Sequence, residues 1–450
     1  MRRLAVVLLV FIGIGVSLVT VSRNPIQQTG NSLGLQTSDM EGCQNESETS
    51  SETSQENGLL PTRGNDTEED FQSHVGSPDS LIDVVENDTE GEPEKQTSSD
   101  NQAENEERQV SLYAYAWNDL PTWDLIDSWA ANLSRSYPEV LKGVSPRLVW
   151  GERREEARNI IQENLESRRI GTNVWDINLM SFSYREGRFW PPVPEDDYGR
   201  AIDEVLRVLA ANGVIAKRSG FAVHLALGFL PEHPFTSKAE LVNALEQWCE
   251  IVETTASIAE RYKFEYLAPC SELDHVIRFE SDLRLSEDEV RELYNSYSVR
   301  YRNIAKKLFS GKIEAKLGDV FPGISETIKA YDFSGADLVG FATGSPVNRD
   351  PESFREDLTS QIETMREVAR VSGLDWYVSE VWIFGQGEAD SEGLGRQAQL
   401  YQVFCDAIRD TECEGVNIRF WNLREEGLWS DIMDTPSEDV VATLFSSWTS

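Results

Sequence analysis

Residues 376–383 read Trp-Tyr-Val-Ser-Glu-Val-Trp-Ile, and residues 264–274 read Phe-Glu-Tyr-Leu-Ala-Pro-Cys-Ser-Glu-Leu-Asp. Both hold short apolar runs with aromatic and branched residues, too short for a helix and bounded by turn signals. Such a run reads as a strand buried on both faces, the type found in parallel sheets covered by helices. Each also carries a serine followed by a glutamate, Ser271-Glu272 in one and Ser379-Glu380 in the other.

Similar runs recur at 110–117, 172–183, 221–230, 312–317, 337–342 and 416–421. Helical patterns lie between most of them, at 201–211, 238–261, 286–308, 351–371 and 395–410. In the first of these, Ile202, Val205, Leu206, Val208 and Leu209 repeat at the spacing of one helix face. Strands alternating with helices imply parallel crossover units, and eight of them over residues 109–450 predict an α/β fold of the (β/α)8 TIM-barrel type. A doubly wound nucleotide-binding sheet would show a glycine-rich turn after its first strand. The first run leads instead into Asn118-Asp-Leu-Pro-Thr-Trp, without glycine. Residues 121–169 read as two helices around a loop at 142–146.

A barrel of this kind builds its site at the C-terminal ends of its strands. The run ends present Trp117, then Asp176 and Tyr184 from the second run, His224 from the third and Ser271-Glu272 from the fourth. The seventh run carries Glu380 and Trp382, and the eighth ends at Trp421. Glu272 and Glu380 stand out, because strands four and seven face each other across an eight-stranded barrel. A carboxyl group desolvated at a strand end suits acid catalysis, while a neighbour that stays ionised can attack an anomeric carbon. The loop 185–198, with Phe189 and Trp190, is a candidate cleft wall.

This arrangement resembles the clan A glycoside hydrolases, the retaining (β/α)8 superfamily that includes endo-mannanases, galactanases and cellulases. The resemblance covers residues 109–450. It implies that Glu272 is the acid/base, that Glu380 is the nucleophile, and that Trp421 floors a sugar site. It also implies a carbohydrate substrate, with Trp117, Asp176, Tyr184, Trp190, His224, Ser271 and Trp382 as further contacts. Ser271 stands where the family usually has Asn, the second run lacks the usual Arg, and the sixth lacks the usual Tyr or His. Tyr184 is expected to supply, from the second run, the hydrogen bond to Glu380 that the Tyr or His of the sixth would make. Trp421 has a second reading as ordinary core.

Two other classes compete: a catalytically silent barrel that binds glycans or a partner protein, and a metal-dependent hydrolase. His224, His233 and His275 lack a paired ligand spacing, so neither metal nor cofactor is expected. A net charge of -37 excludes a phosphate-backbone binder, so no nucleic-acid partner is expected. A monomer is expected. The five cysteines are too few for a disulfide scaffold; Cys270 reads as a small buried hydrophobe, and a Cys405–Cys413 pairing stays open.

Residues 1–23 join Met-Arg-Arg to an uncharged apolar stretch and read as a signal peptide or a signal anchor lodged in the membrane. Residues 24–108 carry 21 acidic and three basic residues, with Phe71 as the single aromatic. That composition cannot offset chain entropy, so a disordered acidic linker is expected. N-glycosylation acceptors start at Asn45, Asn65, Asn87 and Asn132. Extracellular or cell-surface location follows as an expectation. Lysine is sparse and the acidic excess extends into the barrel, which suits high salt and a halophilic, archaeal source.

Overall fold

The computed structural model describes residues 120–448, apart from 194–196, 319, 423 and 426–427, together with 110, 113 and 114. The expected signal segment and linker, Trp117 and the acceptors at Asn45, Asn65 and Asn87 lie outside the described residues. Asn132 is exposed, with a positive φ of 65°.

Eight parallel strands form the barrel. They are β1 (Leu141–Val144), β2 (Val174–Arg185), β3 (Ala222–Pro231), β4 (Tyr266–Ala268), β5 (Lys312–Leu317), β6 (Leu338–Pro346), β7 (Asp375–Gln386) and β8 (Gly415–Ile418). Each pairs with the next, and β8 returns to β1 through Leu141↔Gly415 and Val144↔Ile418, which closes the cylinder. Closure leaves no open edge. The helices that follow the strands are α1 (Arg154–Glu166), α2 (Tyr198–Arg218), α3 (Lys238–Arg261), α4 (Glu287–Leu308), α5 (Ser325–Lys329), α6 (Pro351–Ser372), α7 (Ser391–Ile408) and α8 (Pro436–Ser447).

The loops enter these helices through side-chain caps. Asp197, Ser237, Asp350, Asp390 and Thr435 each accept a backbone N–H of the first turn. Ser286 and Glu289 form a reciprocal capping box. In α2 the stripe foreseen from the sequence is buried at Val205, Leu206, Val208 and Leu209, and it seats the helix on the barrel.

One strand falls elsewhere than the sequence suggests. Residues 110, 113 and 114 are helical and buried, at the i, i+3, i+4 spacing of a helix face, and Tyr113 meets Trp129 edge-on at 5.1 Å. The first barrel strand is Leu141-Lys-Gly-Val144, which overlaps the stretch 142–146 that reads as a loop. Its lysine and glycine break any apolar run. The glycine is needed there, because a Cβ on Gly143 would sit 1.4 Å from Asn417 Oδ1 on β8.

Leu141, Val174, Ala222, Tyr266, Leu338 and Tyr377 form an apolar cluster at or near the strand starts. Further along the strands come charged groups. Asp176, His224, Glu314, Lys316, Glu380 and Arg419 are all buried. Barrels are ordinarily filled with branched apolar side chains, so a charged interior of this extent needs a reason beyond packing.

Candidate active site

Glu380 reaches the site through a bulge. Phe341 pairs with Val378 and Ala342 with Glu380, so Ser379 is an extra residue on β7. The pairing with β8 shows the same shift between Val378 and Val381. Residues beyond a one-residue bulge change faces, and bulges commonly re-aim side chains beside active sites. Beyond Ser379, Glu380 and Trp382 take the places opposite Ala342 and Gly344.

Three donors converge on one oxygen of Glu380. Lys316 Nζ donates at 2.7 Å, Arg419 Nη1 at 2.8 Å and Asn178 Nδ2 at 2.8 Å, all to Oε2. They come from β5, the residue just after β8, and β2. Burial alone would raise the Glu380 carboxyl, but the charges of Arg419 and Lys316 hold it below its ordinary value.

Glu272 follows β4 and begins the helix Leu273–Phe279 with a left-handed backbone, φ 57°. For a non-glycine residue that conformation costs on the order of 1–3 kcal/mol, and such strain gathers at functional sites. Its amide donates to the Lys316 carbonyl at 3.1 Å, which ties it to β5. Glu272 Oε1 lies 3.7 Å from Lys316 Nζ. Burial, and then the negative charge of Glu380, push the Glu272 carboxyl up to about 7. Its side chain is 16% exposed against 7% for Glu380 and none for Lys316, so Glu272 is the more open of the two acids.

Beneath this pair lies a buried chain of charge. His224 Nδ1 meets Asp176 Oδ1 at 2.7 Å, and its Nε2 lies 2.6 Å from Glu314 Oε2. Ser145 donates to the other Asp176 oxygen at 2.9 Å. Burial lowers the imidazole, but Glu314 and Asp176 together raise it to about 9, so His224 is an imidazolium at neutral pH. Room for Glu314 comes from β6, where a Cβ on Gly340 would lie 2.2 Å from its Oε1.

The other candidate residues part company. His224 and Asp176 do not line a cleft; each is 1% exposed within the barrel. Tyr184 does not turn to Glu380. Its hydroxyl accepts from Asn243 of α3 at 2.7 Å, and its ring packs on Phe189 and Phe235. Trp421 has no exposed face to offer a sugar: it is fully buried, its Nε1 donates to the Glu163 carbonyl at 2.7 Å, and Arg169 covers its ring. The core reading therefore holds for Trp421. Trp190 sits on a hairpin strand, Arg188–Trp190, that pairs with the end of β2, and the Arg185 guanidinium lies over its ring at 4.6 Å. Trp382 is half-buried beside Phe384, and Ser271 is fully buried with its amide bound to the Leu227 carbonyl.

Lys316, Asn178 and Arg419 hold Glu380, and none was assigned a role from the sequence. A signal existed for Lys316. The run Lys-Ile-Glu-Ala-Lys-Leu alternates Glu314 and Lys316 on one face of a strand that should be buried on both. Among the described residues no group of three His, Cys, Asp or Glu side chains is arranged to hold a metal ion. The described cysteines, Cys405 and Cys413 included, are free. A cleft of about 280 Å³ lined by Lys238, Glu246, Tyr297 and Arg300 lies between α3 and α4 on the outer wall and holds none of these site residues.

No family model matches the chain, and no curated protein sequence matches it. Solved structures do. A GH113 beta-1,4-mannanase superposes with a TM-score of 0.50 at 14% identity, over 69% of this chain and 99% of its own. A GH113 beta-mannanase from Alicyclobacillus acidocaldarius gives 0.49 at 17% identity, over 69% and 98%. Xylanase 10B from Thermotoga petrophila gives 0.40 at 14% identity, over 63% and 89%. At such identities the likeness speaks for architecture: the chain has the (β/α)8 barrel fold that the first of these mannanases has.

Proposed function

We propose that the chain is a retaining glycoside hydrolase that cleaves a β-linked polysaccharide or oligosaccharide, with Glu272 as acid/base and Glu380 as nucleophile. One observation carries the reading: a single buried ammonium, Lys316, reaches carboxylate oxygens of both residues. Those two oxygens are therefore no further apart than the sum of the two contacts, about 6.4 Å, which puts the two carboxyl groups within the span that glycosidase acid pairs use, about 5–5.5 Å in retaining enzymes and 6.5–9.5 Å in inverting ones. The charge states support the same division of labour. Glu380, held down by two cations, is anionic and ready to attack, while Glu272, at about 7, can carry a proton to a leaving group.

The reaction follows from these placements. A Glu380 oxygen bonds to the anomeric carbon as the glycosidic C–O bond breaks, and the Glu272 proton passes to the departing oxygen. Water then attacks the anomeric carbon and gives its proton to Glu272, and Glu380 leaves as a carboxylate. Trp382, two residues beyond the nucleophile and half-buried, is the aromatic surface we assign to sugar stacking.

Arg419 and Asn178 supply what the sequence resemblance found missing. A guanidinium just past β8 and an amide from β2 bind Glu380, where the family usually has an Arg on β2 and a Tyr or His on β6. Export by residues 1–23 and function outside the cell in high salt belong to the same proposal.

The test is hydrolysis of β-1,4-mannan, xylan and related β-glycans, with Glu380→Ala as control. Turnover by the natural chain that the substitution abolishes supports the reading. Unchanged turnover in Glu380→Ala removes the nucleophile assignment, and glycan binding without turnover favours a silent barrel.

A further inference from the structure

We infer that Lys316 is a positioning residue that acts through both acids, the counter-ion that passes from Glu380 to Glu272 as the negative charge moves between them. The inference rests on the glycosidase reading and concerns how one site serves as acid in one step and base in the next.

The geometry is specific to this residue. Lys316 is fully buried near the end of β5, so its ammonium has no solvent to neutralise it. It lies within ion-pair distance of both carboxylates, at 2.7 Å from Glu380 Oε2 and 3.7 Å from Glu272 Oε1. Among the described residues the ion pair of Arg419 is with Glu380, and its charge is also felt by Glu272 and Lys316. The other charged groups that act on these three are Asp176, which faces Lys316 and Glu380, and His275, which faces Glu272.

In the first chemical step Glu380 becomes a neutral ester and Glu272, having given up its proton, becomes an anion. The charge has crossed from one neighbour of Lys316 to the other. A cation that touched only Glu380 would be left buried and unpaired at that moment, a strongly unfavourable state. Lys316 keeps a partner throughout, because its second carboxylate is already within reach. After esterification it therefore favours the ionised form of Glu272, which is the base the second step needs. The same cation that makes Glu380 an anion in the free enzyme makes Glu272 one in the intermediate.

The experiment uses the full chain with Lys316→Met, which keeps length and removes charge, and Lys316→Arg, which keeps charge. Carboxyl titrations of Glu272 and Glu380 are followed by carbon-13 NMR on glutamate-labelled protein, with Glu272→Gln and Glu380→Gln to assign the signals. That readout needs no substrate, so it is independent of the screen that tests the glycosidase reading. Lys316→Met should raise both midpoints by about one pH unit or more, and Lys316→Arg should leave them near the parent values. With an activated aryl glycoside, Lys316→Met should also slow the second step more than the first, about tenfold further, so that glycosyl-enzyme accumulates. Should Lys316→Met not fold, Lys316→Gln takes its place. Midpoints that stay put, or two steps slowed equally, overturn the inference, since a merely structural lysine would give that result.

Discussion

Gly143→Ala is the sharpest probe of the strand that the sequence concealed. The added Cβ would lie 1.4 Å from Asn417 Oδ1 and 2.5 Å from its Cγ, deep inside van der Waals contact. Neither neighbour can retreat easily. Gly143 is fixed by pairing to Val174 on one side and to Asn417 itself on the other, and Asn417 is fully buried. Overpacking in a closed core costs typically 1–3 kcal/mol, and an overlap this large belongs at about 3 kcal/mol or above. In a domain of this size that lowers the thermal midpoint by about 5 °C. The assay is thermal unfolding of the parent, Gly143→Ala, Asn417→Ala and the double variant. Removing the Asn417 amide makes room for the new methyl, so the double variant should recover most of the loss that Gly143→Ala causes. Non-additivity of that kind is expected only for residues in contact. A Gly143→Ala protein as stable as the parent, or a double variant whose losses simply add, would refute the placement of β1 against β8.

Further tests follow from the site. Hydrolysis needs Glu272 protonated and Glu380 ionised, so kcat/KM should fall as pH rises through about 7, while its acid limb lies below the usual carboxylate range; a pH–rate profile with its alkaline limb far above 7 contradicts this. His224 titrates at about 9 in the folded chain against 6.5 for the free side chain, so its stabilisation is complete below 6.5 and is lost as pH rises through 9. His224→Ala should flatten that part of the stability–pH curve and cost about 3–5 kcal/mol in denaturant unfolding. Deleting Ser379 removes the extra residue of the bulge and should turn Glu380 off the site, reducing activity to the level of Glu380→Ala in a folded protein. Ser379→Ala keeps the bulge and should stay within about tenfold of the parent, and equal activity in both would deny the bulge its role.

The outer architecture was legible in the sequence because runs such as 312–317 and helices such as 238–261 obey a period. β1 was not, since Leu141-Lys-Gly-Val144 has only four residues and the glycine answers to Asn417, a residue some 270 positions away. The true first strand was missed and a helical run was counted instead, so the fourth and seventh runs still carried the right ordinal. In the sequence the proposed roles of Glu272 and Glu380 rest on that ordinal alone. Trp421 was ambiguous because it comes three residues after β8 ends, where alternation no longer says which way a side chain points. His224 and Asp176 read as cleft residues because a sequence places them on strands without saying how deep in the barrel they lie. Lys316 went unassigned for a related reason: its meaning depends on two carboxylates brought in by β4 and β7.

Trapping of the glycosyl-enzyme tests the central claim most directly. The protein is incubated with an activated 2-deoxy-2-fluoro glycoside of the sugar it cleaves, digested, and mapped by mass spectrometry. The account predicts a single covalent label on Glu380, absent from Glu380→Ala and long-lived in Glu272→Ala until azide is added. A label on another residue, or hydrolysis that inverts the anomeric centre with no label at all, would contradict it.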